Sequence, residues 1–150
     1  MPAFRRLFNV TGLPPIPAEW ADEQLSVRVG LQVVEARPER VVGTMPVTGN
    51  RQPYGLFHGG ANALLAETIG SIAAELNTEH GRVAFGRELS CTHHRSATDG
   101  IVTGVCTPLE VCRSSSTFEI VITDSEGRRT CTARLTCAVR RRPTAIPTPP

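Results

Sequence analysis

The residues best placed by type and spacing to do chemistry lie in one segment, Gln52-Pro-Tyr-Gly-Leu-Phe-His58-Gly59-Gly60, which runs on to Glu67 and Ser71. Two consecutive glycines let a ligand approach the backbone closely, at a point where the first N–H groups of a helix have no intrahelical partner. Those N–H groups, with the positive end of the helix dipole, favour an oxygen that gains negative charge; set against an ester or thioester carbonyl they form an oxyanion hole. Glu67 stands two turns further along, about 11 Å from the helix start at 1.5 Å per residue. A carboxylate there can attack a carbonyl or activate water. Glu67 and Ser71 are an i, i+4 pair and face the same place.

Each of these features also has a plainer reading. A single Glu at the edge of an apolar helix is commonly a surface or ion-pair residue, and His58 before two glycines can be a turn histidine. His93 and His94 are neighbours on a predicted strand, so their rings point to opposite faces and do not share a metal. Cys91 with His93 supplies only two ligands. The chain has five cysteines, Cys91, Cys106, Cys112, Cys131 and Cys137. An odd count with no C-x-x-C pair predicts free thiols in a reduced compartment rather than a zinc site. Nothing in the spacing selects one of them as a nucleophile. Arg140-Arg141-Arg142 reads as a solvated strand end. The phosphate loop G-x-x-x-x-G-K-[ST], the dinucleotide motif G-x-G-x-x-G and the G-x-S-x-G elbow are absent from the sequence.

The elements that must position these residues follow from periodicity. His58 to Leu76 is the single long helical segment. Ala61, Leu64, Leu65, Thr68, Ile69, Ile72 and Leu76 form one broad stripe, and Ala66, Gly70, Ala73 and Ala74 keep the other side small. A helix so apolar all round is wrapped by sheet or by another subunit. Strands are expected at 30–36, 40–47, 83–94, 100–111, 115–123 and 128–139, joined by turns at Arg37-Pro38-Glu39, Thr98-Asp99-Gly100 and Asp124-Ser125-Glu126-Gly127. In the third, Val83, Phe85, Arg87, Leu89, Cys91 and His93 alternate onto one face. A short helix is expected from Ala18 to Leu25, with Trp20 and Leu25 as its apolar contacts. One long helix with six mostly antiparallel strands is an α+β domain with the helix on one face of the sheet.

The length of 150 residues suits one domain with a sizeable core and no need of a metal or disulfide staple. We expect an N-terminal arm and short helix over 1–28, a single domain over 29–142 and a proline-rich disordered tail over 143–150. Hydrophobic residues at 40% and charged residues at 20% are a globular balance. The net charge of +2 is too small to announce a nucleic-acid or membrane-surface partner. All 16 Lys+Arg residues are Arg, which excludes a Schiff-base lysine. The apolar stretch at 61–74 is broken by Asn62, Glu67 and Thr68 and falls short of the roughly 20 apolar residues of a spanning helix. Arg5 and Arg6 precede only Leu7 and Phe8, so no signal-peptide core follows. A cytoplasmic protein is the expectation.

The segment Arg51-Gln-Pro-Tyr-Gly-Leu-Phe-His-Gly-Gly-Ala-Asn-Ala-Leu-Leu-Ala-Glu-Thr-Ile-Gly-Ser71 resembles the signature of hotdog-fold acyl-CoA thioesterases. The likeness is to the phenylacetate-degradation and 4-hydroxybenzoyl-CoA thioesterase type, whose acidic residue is a helix glutamate. Within it, the chain looks most like the aryl-CoA thioesterases of menaquinone synthesis and the proofreading thioesterases of enterobactin synthesis. It extends from about Val29 to Val139, through Gly86-Arg-Glu-Leu-Ser-Cys-Thr-His-His-Arg95, Gly104-Val-Cys-Thr-Pro-Leu109 and Asp124-Ser-Glu-Gly-Arg-Arg129. Five elements coincide in order: Gln52, His58, Gly59-Gly60, Glu67 and Ser71.

The resemblance implies a long helix wrapped by a curved antiparallel sheet, dimers that join their sheets edge to edge, and a tetramer made of two dimers. It places the active site between subunits. Glu67 would be nucleophile or general base, and the Gly59 N–H would polarise the thioester carbonyl. Gln52 and His58 would orient the thioester or the attacking water, and Ser71 would position water. Covalent anhydride and direct water attack both stay open. Coenzyme A, as part of the substrate and not a cofactor, would lie along Gly86, His93, His94, Arg95 and Ser96, and along Glu110, Val111, Cys112, Arg113, Ser114 and Ser115. The Arg95 and Arg113 guanidinium groups would suit its phosphates. No metal is implied. The sequence departs from the pattern at Ser96, where relatives often carry Pro, and at Cys112, where many carry Gly.

The expected reaction is hydrolysis of an acyl-CoA to free acid and CoA. An aromatic acyl group such as 1,4-dihydroxy-2-naphthoyl or hydroxybenzoyl is preferred over a long fatty chain. The alternatives are a non-catalytic acyl-CoA-binding module and a hotdog enoyl-CoA hydratase. Against the first stand the intact Gln52 and Glu67 and the lack of a DNA-binding segment before residue 30. Against the second stands the lack of the Asp and His pair that such hydratases use.

Overall fold

The computed structural model describes Trp20 and residues 23–142. Among them the elements run α1 (Leu25–Arg28), β1 (Gln32–Arg37), β2 (Arg40–Pro46), α2 (Gly59–Leu76), β3 (Arg82–His93), β4 (Ile101–Val111), β5 (Ser115–Thr123) and β6 (Arg129–Arg141). The strands make a single sheet in the order β1-β2-β4-β5-β6-β3, with every pair antiparallel. α2 packs against all six strands, which requires the sheet to curve around it. This is the α+β hotdog architecture expected of the sequence. The expectations for an irregular arm and a C-terminal tail fall on residues outside those described.

Period-two alternation produces the core. In β5, Ser116, Phe118, Ile120 and Ile122 face inward and are buried while Thr117, Glu119 and Val121 face away. β6 continues the layer with Cys131, Ala133, Leu135 and Cys137. α2 can lie close to this layer because small residues stand at the contact. Gly43 of β2 is paired with Gly104 of β4, and a Cβ on Gly43 would come within 2.6 Å of Ile69 Cγ2. Gly70 faces β6, where a Cβ would meet Leu135 Cδ2 at 2.5 Å. Interiors are close-packed, so such positions admit hydrogen alone without a shift of the helix.

Two expectations need correction. Most of the short helix expected at Ala18–Leu25 falls on residues outside those described, but it does not run through to Leu25, which instead opens a separate helix to Arg28 and is 58% exposed rather than an apolar contact. Gln24 stops helical geometry at its own position with ψ 125, and its side chain turns back to the Trp20 carbonyl. As expected of a wrapped helix, both sides of α2 are covered, and the small side is the more deeply buried. Ala66, Gly70, Ala73 and Ala74 are buried with Leu65, Ile69 and Ile72, whereas Ala61, Leu64, Thr68 and Leu76 are half-buried. The sheet wraps the helix, so the closest contacts select small side chains over large ones. The second correction concerns β3. Its register shifts between Gly86 and Glu88, and this bulge breaks the expected alternation. Leu89, Cys91 and His93 share a face with Ala84 and Gly86, not with Val83, Phe85 and Arg87.

Candidate active site

The loop before α2 is held by its own backbone. Gln52 N–H donates to the Leu56 carbonyl at 2.8 Å, and Gly55 N–H donates to the Gln52 carbonyl at 2.9 Å. The Arg51 guanidinium reaches the carbonyls of Gly55 and Thr98. Phe57 is buried and its N–H donates to the Ala97 carbonyl at 2.9 Å. The Asn50 side chain ties the loop to the Val29 and Pro46 carbonyls, both at 2.8 Å. These bonds deliver His58 as the N-cap of α2, where its Nδ1 accepts from the Gly60 N–H at 2.8 Å. In the neutral ring, an accepting Nδ1 leaves the proton on Nε2, so the other nitrogen of His58 is a donor. The first-turn N–H groups are then accounted for, except one. Gly60 bonds the His58 ring and Ala61 and Asn62 bond the His58 carbonyl, while the Gly59 N–H has no partner among the described residues.

Glu67 is half-buried and lies over β3. A Cβ on Gly86 would collide with Glu67 Oε1, so the carboxylate occupies the space that any other residue would fill. The bulge after Gly86 turns this glycine toward the helix, a common use of bulges beside functional sites. Ser71 Oγ donates to Glu67 Oε1 at 3.4 Å, one turn along α2. Across the strand pair, Gly86 faces Cys137, whose side chain is fully buried on the same side of the sheet. Burial, and then the negative charge of Glu67, push the Cys137 thiol up to about 11. Burial likewise raises the thiols of Cys106 and Cys131 to about 12, and that of half-buried Cys91 upward. All five cysteines are free, and Cys112 is exposed. No cluster of three or more His, Cys, Asp or Glu suited to a metal ion occurs among the described residues.

The remaining expected site residues separate into three places. The Gln52 side chain turns back on its own loop, its Oε1 accepting from the Tyr54 N–H. His93 faces α2 beside Gly59, while His94 points to the other face, its Nε2 at 2.9 Å from Thr132 Oγ1; the opposite-face expectation holds. Arg95 and Ser96 follow on the exposed chain leading out of β3. Glu110 to Ser115, by contrast, are the exposed β4–β5 turn, with the Ser114 carbonyl accepting from Val139 N–H. Val111, Cys112 and Arg113 line a cleft of about 170 Å³ with Asn77, Thr78, Glu79, Arg82 and Val139, at the C-terminal end of α2. Helix α2 has 18 residues and is about 27 Å long. Within one chain, therefore, His93 to Ser96 lie toward the N-terminal end of the helix and Glu110 to Ser115 toward its C-terminal end, with Gly86 between them beneath Glu67, and the two groups are not brought together. Asn62 is a site neighbour that the sequence reading passed over. It is buried, and its Nδ2 lies 3.3 Å from His93 Nδ1. Its signal was present, as the first polar interruption of the apolar run.

Residues 54–131 match the Thioesterase superfamily. A protein named proofreading thioesterase EntH from Cronobacter turicensis is 48% identical over 112 residues, covering 74% of this chain and 82% of that one. One of the same name from Klebsiella pneumoniae is 53% identical over 96 residues, covering 63% of this chain and 70% of that one. The crystal structure of a thioesterase from Haemophilus influenzae superposes with a TM-score of 0.76 at 30% identity, covering 85% of this chain and 93% of that one. Among the described residues no helix is long and apolar enough to cross a membrane. Similarity along most of its length, together with a shared fold and a helix carboxylate set above a glycine gap, makes the chain a member of the thioesterase superfamily and a thioester hydrolase.

Proposed function

We propose that the protein hydrolyses an aryl-CoA, such as a hydroxybenzoyl- or 1,4-dihydroxy-2-naphthoyl-CoA, at a site where Glu67 is the reactive carboxylate. The observation that carries this reading is the seating of Glu67 against Gly86, with the unpartnered Gly59 N–H at the start of the same helix. The thioester carbonyl oxygen accepts from that N–H, which gains strength as negative charge develops on the oxygen. Glu67 then acts in one of two balanced ways. As nucleophile it bonds to the carbonyl carbon and expels CoA as thiolate, and water hydrolyses the mixed anhydride to release the acid. As general base it takes a proton from water, whose oxygen attacks the carbonyl carbon; the tetrahedral intermediate then breaks its C–S bond to give the acid, and the departing CoA thiolate takes up a proton, so the carboxylate is regenerated. Ser71, bonded to Oε1, holds the water; Gln52 and the Nε2 donor of His58 orient it or the thioester.

The coenzyme portion runs along Gly86, His93, His94, Arg95 and Ser96, and the turn Glu110–Ser115 reaches it from a second copy of the chain. The separation of the turn Glu110–Ser115 from His93 to Ser96 along the helix within one chain supports a shared site. So does the free edge of β3, a strand of 12 residues with Phe85 57% exposed. Long unpaired edges invite pairing, and two such edges joined antiparallel give a dimer, two of which make the proposed tetramer. No cofactor or metal takes part, and neither nucleic acid nor membrane is a partner.

The test is turnover of wild type and Glu67→Ala against aryl, short-chain and long-chain acyl-CoAs, with products separated by chromatography. Hydrolysis of aryl-CoAs by wild type, and its loss in the variant, is the expected result. Preference for long chains overturns the substrate class. Binding of CoA esters with no turnover by either protein, or consumption of an enoyl-CoA by hydration, moves the site to one of the alternative readings.

A further inference from the structure

α2 carries one polar side chain that the core encloses. Asn62 is 5% exposed, its Nδ2 lies 3.3 Å from His93 Nδ1, and its Oδ1 is buried with no partner among the described residues. An unpaired buried acceptor costs stability, and the packing around α2 gains nothing from it. What the amide does touch is a ring at the mouth of the site. His93 Nε2 stands 3.0 Å from the point a Cβ on Gly59 would occupy, so Gly59 is small for the sake of this imidazole. His93 is exposed and Gly59 half-buried, so a ligand reaches both. The neutral imidazole has one donor and one acceptor nitrogen. The Asn62 N–H on Nδ1 makes that nitrogen the acceptor and leaves the proton on Nε2, the atom facing Gly59.

We infer that His93 is a second donor to the thioester carbonyl, beside the Gly59 N–H, and that Asn62 is the positioning residue that holds it in the Nε2–H form. This rests on the proposed reading that the carbonyl binds at Gly59. It moves His93 from the coenzyme end of the substrate to the reacting end. A donor already fixed in tautomer and direction needs no reorganisation as charge builds on the oxygen, which is where such donors accelerate acyl transfer. His94, one residue on, faces away and takes no part.

The experiment is two-bond ¹H–¹⁵N NMR on the full chain labelled at histidine, read together with kinetics. Wild-type His93 is expected as the Nε2–H tautomer. Replacement Asn62→Asp offers a carboxylate to Nδ1, draws the proton there, and lowers kcat at least about tenfold with KM little changed. His93→Ala lowers kcat about 100-fold. An Nδ1–H tautomer in the wild type overturns the inference, and this readout needs no variant to fold. A His93→Ala enzyme that loses only KM also overturns it, because that is the signature of a coenzyme contact. Glu67→Ala, run alongside, separates the two levels. If it abolishes turnover while the His93 tautomer is wrong, this inference alone fails; if it retains turnover, the active-site reading fails and takes the inference with it.

Discussion

Strands β5 and β3 begin from the same alternating sequence pattern and end in different work. β5 keeps its period throughout the core, sending Phe118, Ile120 and Ile122 inward at full burial. β3 breaks its period after Gly86, and the break is where the carboxylate of Glu67 sits. Two glycines sharpen the contrast. Gly70 makes room for Leu135, so that a helix can lie on a sheet; Gly86 makes room for Glu67 Oε1, so that a charged group has somewhere to be half-buried. The first omission of a side chain contributes to stability; the second, on the proposed function, contributes to chemistry. Substitutions in the two strands should therefore fail in different assays.

The largest stability effect is expected on the core side. Leu135→Ala removes a fully buried side chain and leaves a cavity against Gly70, which costs about 2–5 kcal/mol. A drop in Tm of roughly 10 °C with kcat per folded molecule preserved is the outcome expected by calorimetry and kinetics. On β3 the pattern reverses. Gly86→Ala places a methyl group where Glu67 Oε1 lies, and kcat should fall about 100-fold, near 2.7 kcal/mol of transition-state stabilisation, with Tm almost unmoved. A Gly86→Ala protein that unfolds readily but turns over normally would erase the contrast between the strands.

A smaller effect belongs to the β5–β6 turn. Burial alone would raise Asp124, but the Arg128 side chain, the Arg128 and Glu126 backbone N–H groups and the Arg128 charge outweigh it and hold the carboxyl below its usual range. A lowered folded value means that the stabilisation is fully present above the unfolded value, and is lost as pH falls through the folded one. Melting followed downward from about pH 5 should show this loss in wild type and a flatter profile in Asp124→Asn.

Most of the architecture was legible in the sequence because alternation and helical spacing report burial directly. The helix at Gly59–Leu76 and the strands at β2, β4, β5 and β6 lie within a residue or two of their expected limits. The bulge in β3 was not legible, since one inserted residue leaves no mark on composition and Phe85, Leu89 and Cys91 fit an unbroken pattern equally well. That the small face of α2 is the more deeply buried was not legible either: hydrophobicity ranks Leu above Gly, whereas the approach of a curved sheet ranks them the other way. Within the site, the order Gln52, His58, Gly59, Glu67 and Ser71 was readable as a motif. The pairing of Asn62 with His93 was not, because it joins residues 31 apart in the chain.

The central claim is that Gly86 matters through Glu67, and a double-mutant cycle tests it most directly. Glu67→Asp draws the carboxylate back by one methylene, away from any side chain at position 86. The account predicts that Gly86→Ala costs about 100-fold in kcat in the wild-type background and only a few-fold in the Glu67→Asp background, so that the two effects are strongly non-additive. Losses that simply multiply would contradict it, because Gly86 would then be acting on the substrate independently of the carboxylate above it.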